Sequence, residues 1–126
     1  MPWENSTELP VVLIVEDEPL VRSSAVKMIE DAGFEVIEAA DADEAIRTLE
    51  GRRDIRVVFT DVQMRGSIDG LKLAHVVRNR WPPIKIIVTS GHELPPEHDL
   101  PEGGRFFAKP YNQIQIRGAL ADWALC

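Results

Sequence analysis

Acidic, hydroxyl and amine side chains stand in this sequence directly after short apolar runs. Glu16 and Asp17 follow the first run, Asp61 the third, Ser90 the fourth and Lys109 the fifth. In an open parallel sheet, ligands bind beyond the carboxyl ends of the strands, so side chains that follow strands gather at one edge. The sequence therefore predicts a polar site with three carboxylates, a hydroxyl and an ammonium.

This set of side chains favours the binding of a hard cation together with an anion. Carboxylates held together repel one another, and Mg²⁺ commonly binds one or two of them with waters and a phosphate oxygen. The ammonium of Lys109 is a point charge suited to a phosphoryl oxygen. Because Asp side chains can act as nucleophiles towards phosphate, we predict that Asp61 accepts a phosphoryl group in the presence of Mg²⁺.

Each of these residues alone has a simpler explanation. An Asp after a strand is usually a helix cap, a Lys before Pro is most often a solvated surface residue, and a Ser in a turn usually bonds the local backbone. Only the arrival of all of them at the same edge of the sheet indicates a functional site.

The elements that must position these side chains alternate along the chain. Short β-branched runs predict strands at residues 11–15, 35–39, 55–60, 84–89 and 105–108. The alternation of strands and helices predicts an α/β domain with a parallel sheet and helices on both faces.

Helices are predicted between the strands and after the last one. Pro19 marks the start of the first helix and Gly33 its end, while Asp41 and Asn112 are predicted to cap the second and the last. The third helix covers residues 71–80.

The predicted domain covers residues 11–126, after a flexible extension at residues 1–10. The interval at residues 93–104 breaks the alternation because it is rich in proline and glycine. Interior proline disrupts a helix, so a loop or a single helical turn is expected there.

Composition and charge exclude several classes of function. A chain of 126 residues with 44% hydrophobic content fits one domain, and a net charge of −7 argues against nonspecific binding to nucleic acid. No apolar run approaches the roughly 18 residues of a membrane helix, and the polar N-terminus does not fit a signal peptide. We therefore expect a cytoplasmic protein without nucleic-acid or membrane partners.

Five motifs resemble, in their order, the receiver domain of bacterial two-component response regulators. They are residues 15–19 (VEDEP), residues 59–64 (FTDVQM), Asp69-Gly70, Ser90-Gly91 and residues 109–111 (KPY). The resemblance extends over almost the whole chain. It implies a doubly wound, flavodoxin-like fold with five parallel strands in the order 2-1-3-4-5, here with the family's fourth helix short or absent.

The resemblance also implies roles for the acidic residues. Asp61 would be the phosphorylated aspartate, and Asp17 would bind Mg²⁺ directly. Glu16 would bind it directly or through water, and the backbone carbonyl of Gln63 would be a further ligand. In this family the residue at the position of Gln63 also affects the lifetime of the phosphoryl group, although the sign of its effect here is not predicted.

The remaining implied residues belong to the phosphoryl contact and the switch. Lys109 would bind a phosphoryl oxygen, and its peptide bond to Pro110 would be cis. The switch hydroxyl would belong to Ser90 rather than Thr89, because a small residue follows Ser90. Phe106 would be the aromatic switch residue, three positions before the lysine.

Two segments depart from the family pattern. Residues 64–70 lack the usual proline and are one residue longer, and residues 93–104 replace the helix that normally contributes to the output surface. The first segment borders the site, and the second places the usual mode of partner docking in question.

The leading prediction is a phosphorylation-controlled protein-binding module and not an enzyme, beyond self-catalysed phosphotransfer and autodephosphorylation. Its phosphodonor would be a histidine kinase or a histidine phosphotransfer protein, and its downstream partner would be another protein. It would act as a stand-alone regulator or as a phosphate shuttle or sink. An apolar patch on the last helix could support a homodimer.

Three other functions compete with this prediction. A receiver-like scaffold that is never phosphorylated would fit the two unusual segments. A phosphatase of the haloacid dehalogenase type needs a second Asp two residues after the nucleophile, which follows neither Asp61 nor Asp17. Nucleotide binding on a Rossmann-like sheet is disfavoured because no glycine-rich loop follows the first strand.

Overall fold

The computed structural model describes residues 10–64, 68–91 and 100–125, with only the backbone of residues 123–125. The strands in this part of the chain are β1 Val11–Val15, β2 Glu35–Ala39, β3 Ile55–Asp61, β4 Lys85–Ser90 and β5 Arg105–Ala108. The helices are α1 Pro19–Asp31, α2 Ala42–Gly51, α3 Gly70–Arg80 and α4 Gln113–Leu125.

All neighbouring strands pair in parallel, and their order in the sheet is β2-β1-β3-β4-β5. This confirms the predicted fold and strand order. The register places Val15 opposite Thr60 and Asp61 opposite Thr89. The carboxyl ends of β1, β3 and β4 therefore lie side by side at one edge.

Helices cover both faces of the sheet, as predicted. Buried residues of α2 and α3 pack on one face together with Leu13 and Val15. Buried residues of α1 and α4 pack on the other face together with Val12 and Ile14. Because both faces are covered, every residue of β1 is buried, which explains its continuous apolar sequence.

Side chains cap the helices where the sequence predicted caps. The Asp41 carboxylate accepts a hydrogen bond of 2.8 Å from the Glu44 N–H at the start of α2. At the start of α4, the Asn112 side chain accepts a bond of 2.8 Å from the Gln115 N–H. Such bonds satisfy backbone donors that have no partner inside the helix.

The bounds of β3, β4 and α3 differ by one residue from the prediction. Strand β3 extends to Asp61 and β4 runs one residue later than expected, because the Val62 N–H donates to the Thr89 carbonyl at 2.9 Å. The Lys109 N–H likewise donates to the Ser90 carbonyl at 2.8 Å. Asp61 and Ser90 are thus the last residues of strands, where neighbouring backbone buries them.

Several predictions fall on residues outside the described ranges. These are residues 1–9 of the predicted extension, residues 65–67 of the longer loop predicted at 64–70, and residues 93–99 of the interval 93–104 that was expected to lack a full helix. The described end of that interval is a turn, in which the Gly104 N–H donates to the Pro101 carbonyl at 2.9 Å. No helix in the described part of the chain is long and apolar enough to cross a membrane.

Helix α3 begins in close contact with the backbone of the predicted acceptor. Asp69 caps this helix by accepting a bond of 2.9 Å from the Lys72 N–H, so the helix starts one residue earlier than predicted. The Gly70 N–H donates to the Val62 carbonyl at 2.9 Å, and a Cβ at Gly70 would collide with the carbonyl of Asp61. The lack of a side chain at Gly70 therefore allows the helix to hold the Asp61 backbone.

We expect Gly70→Ala to lower the free energy of unfolding by about 1–3 kcal/mol, because the added methyl group must displace backbone. Gly118→Ala in α4 is the matched control, since a Cβ there would meet no described atom within 4 Å apart from its chain neighbours and the backbone of its own helix. It should raise stability by roughly 0.5–1 kcal/mol, as expected for alanine in a helix interior. Urea denaturation measures both, and equal effects would contradict this account of Gly70.

Candidate functional site

A cleft of about 570 Å³ opens at the carboxyl edge of the sheet. Its lining residues are Glu16, Asp17, Glu18, Asp61, Val62, Gln63, Met64, Asp69, Gly91 and Lys109. The structure thus brings together five of the residues that the sequence singled out, from three different strand ends. Ser90 lies directly before Gly91, at the end of β4.

The ammonium of Lys109 lies between two buried carboxylates. Its Nζ atom is 3.4 Å from Asp61 Oδ2 and 3.3 Å from Glu16 Oε1. Asp61 is 7% exposed and Glu16 is 4% exposed. With Asp17 in the same cleft, the acidic side chains outnumber the ammonium that neutralises them.

Burial is the main cause of a raised pKa at the two carboxyls, and neighbouring negative charge adds to it. Burial raises the pKa of Asp61 above its ordinary value, and the charge of Asp17 adds to this while Lys109 opposes it. Burial also raises the pKa of Glu16; the Glu18 N–H opposes this and the charge of Asp61 adds to it. A cation in the cleft would relieve both carboxylates.

One oxygen of the Asp61 carboxylate has no hydrogen-bond donor among the described residues. Asp61 Oδ1 is buried and makes no hydrogen bond in the described structure, which is costly for a charged group. A cation or a covalently attached group at this oxygen would remove that cost.

The oxygens that line the cleft are of the kinds that Mg²⁺ binds. In the described ranges, no three acidic, histidine or cysteine side chains are arranged to hold a metal ion by themselves. Mg²⁺ needs only one or two carboxylates, because it keeps several waters and also binds carbonyl or phosphate oxygens. Asp17, Asp61 and the backbone carbonyl of Gln63 offer such a set.

Arg22 fixes the acidic turn after β1, a contribution that the sequence analysis missed. Its Nη1 donates to the Glu16 carbonyl at 2.8 Å, and its Nε donates to Glu38 Oε1 at 3.1 Å. The Glu16 N–H donates to the Ala39 carbonyl at 3.1 Å. An arginine on the first helix carries no local signal of this role, because its partners belong to other elements.

The hydroxyl of Ser90 is held by the side chain of Gln63. Ser90 Oγ donates to Gln63 Oε1 at 3.0 Å, whereas the sequence had assigned only the backbone carbonyl of Gln63 to the site. Thr89 is also buried and pairs with Asp61 in the sheet. The choice of Ser90 over Thr89 as the switch hydroxyl stays a prediction.

Neither Phe106 nor Tyr111 lines the cleft. Phe106 is half-buried against the apolar layer of α2 and α3. Tyr111 follows the cis Lys109–Pro110 bond and meets the Phe59 ring edge-on, with ring centroids 5.8 Å apart. Burial raises the pKa of Tyr111 to about 12, and the charges of Glu16 and Asp61 add to this. The sequence had named no role for Tyr111.

Known proteins share both the sequence pattern and this architecture. The family model described as response regulator receiver domain matches residues 12–121. This chain belongs to the response regulator receiver domains. The resemblance seen in its motifs is thereby confirmed for the greater part of the sequence.

Individual relatives place this receiver domain among two-component proteins. It is 34% identical over 120 residues to the sensor kinase CckA of Brucella abortus, covering 90% of this chain and 13% of CckA. It is 34% identical over 82 residues to the nitrogen assimilation regulatory protein NtrX of Azorhizobium caulinodans, covering 64% of this chain and 18% of NtrX.

A solved structure shows the same fold over nearly the whole receiver domain. The response regulator receiver protein of Sinorhizobium medicae superimposes with a TM-score of 0.85 at 27% identity, covering 93% of this chain and 95% of that one. The chain spans less than a fifth of the length of NtrX and CckA. The expectation that it acts as a stand-alone domain therefore stays a prediction.

In the absence of metal, Asp61→Asn should raise the free energy of unfolding at neutral pH. Because the folded state raises the pKa of Asp61, the ionised carboxylate is less favourable there than in the unfolded chain. This increase in the free energy of unfolding should be greatest at pH values above the pKa of Asp61 in the folded state. It should vanish as the pH falls below the ordinary pKa of 3.8. Urea denaturation between neutral pH and about pH 4 measures this gain.

Asp54→Asn is the control of opposite sign. The hydrogen bond from Arg52 lowers the pKa of Asp54, so removing this carboxylate should slightly destabilise the protein at neutral pH. A loss of stability in Asp61→Asn, or a gain that does not depend on pH, would contradict the account of the buried charge.

Proposed function

We propose that this receiver domain takes a phosphoryl group from a phosphohistidine onto Asp61 and thereby changes a surface that binds other proteins. The observation that carries the proposal is the environment of the Asp61 carboxylate: Oδ2 lies 3.4 Å from Lys109 Nζ, and the buried Oδ1 has no hydrogen-bond partner among the described residues. A nucleophilic oxygen and a positive group for the incoming phosphoryl oxygens stand together in one open cleft.

The reaction makes one bond and breaks another at phosphorus. An oxygen of the Asp61 carboxylate attacks the phosphoryl group, the P–N bond to the donor imidazole breaks, and the imidazole nitrogen keeps the electron pair and takes a proton from water. The ionised carboxylate has no proton to lose, so no general base is needed. Positioning and charge neutralisation supply the catalysis, with Lys109 within reach of the oxygens that carry the charge.

Mg²⁺ is the cofactor of this proposal. Asp17, Asp61 and the backbone carbonyl of Gln63 would hold it, and Glu16 would bind it directly or through water. When bound, it neutralises phosphoryl oxygens and relieves the repulsion among the carboxylates. The raised pKa values of Asp61 and Glu16 support a cation in this cleft.

An apolar surface beside the cleft supports a protein as the phosphodonor. Leu20 is 84% exposed and Val21 is 36% exposed, at the start of α1. Val21 lines a shallow hollow together with Lys109, Pro110 and Tyr111. Exposed apolar groups next to a reactive site favour contact with another protein. A histidine kinase or a histidine phosphotransfer protein would be that protein and would donate the phosphoryl group.

The structural consequence of phosphorylation would pass through Ser90 and Phe106. The Ser90 hydroxyl would donate to a phosphoryl oxygen on Asp61, and the half-buried Phe106 on β5 would turn inward. Such a change is a shift between two populated states that a local charge biases. Because its relatives are several times longer, the proposal is restricted to this domain, whose only catalysis would be its own phosphorylation and dephosphorylation.

Acetyl phosphate with Mg²⁺ should add a single phosphoryl group to the intact protein, as measured by mass spectrometry. Asp61→Asn should abolish the addition because it removes the nucleophilic oxygen. Asp31→Asn, an exposed aspartate at the end of α1, is the matched control and should be modified like the wild type. No addition would refute the proposed function and leave a scaffold that is never phosphorylated, whereas an addition that survives Asp61→Asn would refute it by placing the acceptor at another residue.

Mg²⁺ should raise the free energy of unfolding of the wild type, by about 2.7 kcal/mol at one hundred times its dissociation constant. Asp17→Asn should reduce this increase because it removes a predicted ligand, while Asp31→Asn should retain it. Thermal unfolding with increasing Mg²⁺ measures the effect. An equal response of Asp17→Asn and wild type would place the cation elsewhere.

A further inference from the structure

The side chain of Gln63 holds the hydroxyl that the proposed switch requires. Ser90 Oγ donates to Gln63 Oε1 at 3.0 Å. Ser90 is 1% exposed at the end of β4, and Gln63 lies on the exposed wall of the cleft, two residues after Asp61. The bond thus bridges the ends of the two neighbouring strands β3 and β4.

We propose that Gln63 is a latch that restrains Ser90 before phosphorylation and sets how readily the domain switches. The inference rests on the proposed function, in which Ser90 donates to a phosphoryl oxygen on Asp61. A hydroxyl carries one proton and donates it to one acceptor in a well-formed bond. The amide oxygen of Gln63 and the phosphoryl oxygen therefore compete for the same proton.

The competition has a definite direction. A phosphoryl oxygen is charged and accepts a stronger hydrogen bond than a neutral amide oxygen, so phosphorylation favours release of the latch. The bond to Gln63 must still be given up, which reduces the net stabilisation of the switched state. Gln63 is a positioning residue in this scheme, because its side chain acts through Ser90.

A purely structural role makes a different prediction. If the bond from Ser90 to Gln63 persisted in the phosphorylated state, its removal would destabilise both states alike and would leave the affinity for a phosphoryl mimic unchanged. Removing the latch instead raises the free energy of the resting state alone. Affinity for a phosphoryl mimic should therefore increase about two- to tenfold, the range expected for one hydrogen bond.

Beryllium fluoride with Mg²⁺ serves as the probe, because it imitates a phosphoryl group on a carboxylate. Its dissociation constant is measured by NMR titration of the wild type, Gln63→Leu, Ser90→Ala and the double variant. Gln63→Leu should bind about two to ten times more tightly than the wild type. In the Ser90→Ala background the same substitution should have no effect, because the competing proton is gone.

Gln113→Leu is the matched control, since Gln113 is exposed at the start of α4, and its affinity should equal that of the wild type. Unchanged or weaker binding by Gln63→Leu would overturn the latch, as would an equal gain in the Ser90→Ala background. Absence of binding by the wild type would overturn the proposed function as well, so the two failures are distinguishable.

Discussion

The structure depends on negative charge being held out of water at one edge of the sheet. Asp61 and Glu16 are buried there, with the ammonium of Lys109 between them, and one oxygen of Asp61 has no donor in the described part of the chain. Helices cover both faces of the sheet and strands flank β3 on both sides, so Asp61, the last residue of β3, is buried where it lines the cleft. The fold therefore keeps a carboxylate in an unfavourable environment that a cation or a phosphoryl group improves.

In that environment, phosphorylation of a single carboxylate would change the neighbouring interactions strongly. A phosphoryl group on Asp61 would replace an unsatisfied oxygen with several strong acceptors, within the reach of Lys109 and close to Ser90. The bond between Ser90 and Gln63 means that the resting state is itself stabilised. The response is then a competition between two hydrogen bonds of different strength, and an exposed side chain at the rim can tune it.

The sequence predicted most of the fold because its signals were local. The continuous apolar run of β1 indicated a strand covered on both faces, and Asp41 and Asn112 capped helices as their spacing suggested. The bounds of β3 and β4 were wrong by one residue because they depend on backbone pairing between Val62 and Thr89. The positions of the motifs at strand ends also predicted correctly that Asp17, Asp61 and Lys109 lie in one cleft. The contacts of Arg22, Gln63 and Gly70 were missed since each joins different elements of the fold and leaves no periodic or capping signal in the sequence.

The central claim is that Asp61 forms an acyl phosphate, and the chemical identity of this bond can be determined directly. Borohydride reduces an acyl phosphate to the alcohol, which converts a phosphorylated aspartate to homoserine. After phosphorylation with Mg²⁺, reduction and proteolysis, peptide mass spectrometry should find homoserine at position 61, and none without the phosphodonor. A phosphorylated protein that yields no homoserine there, or yields it at another aspartate, would contradict the account.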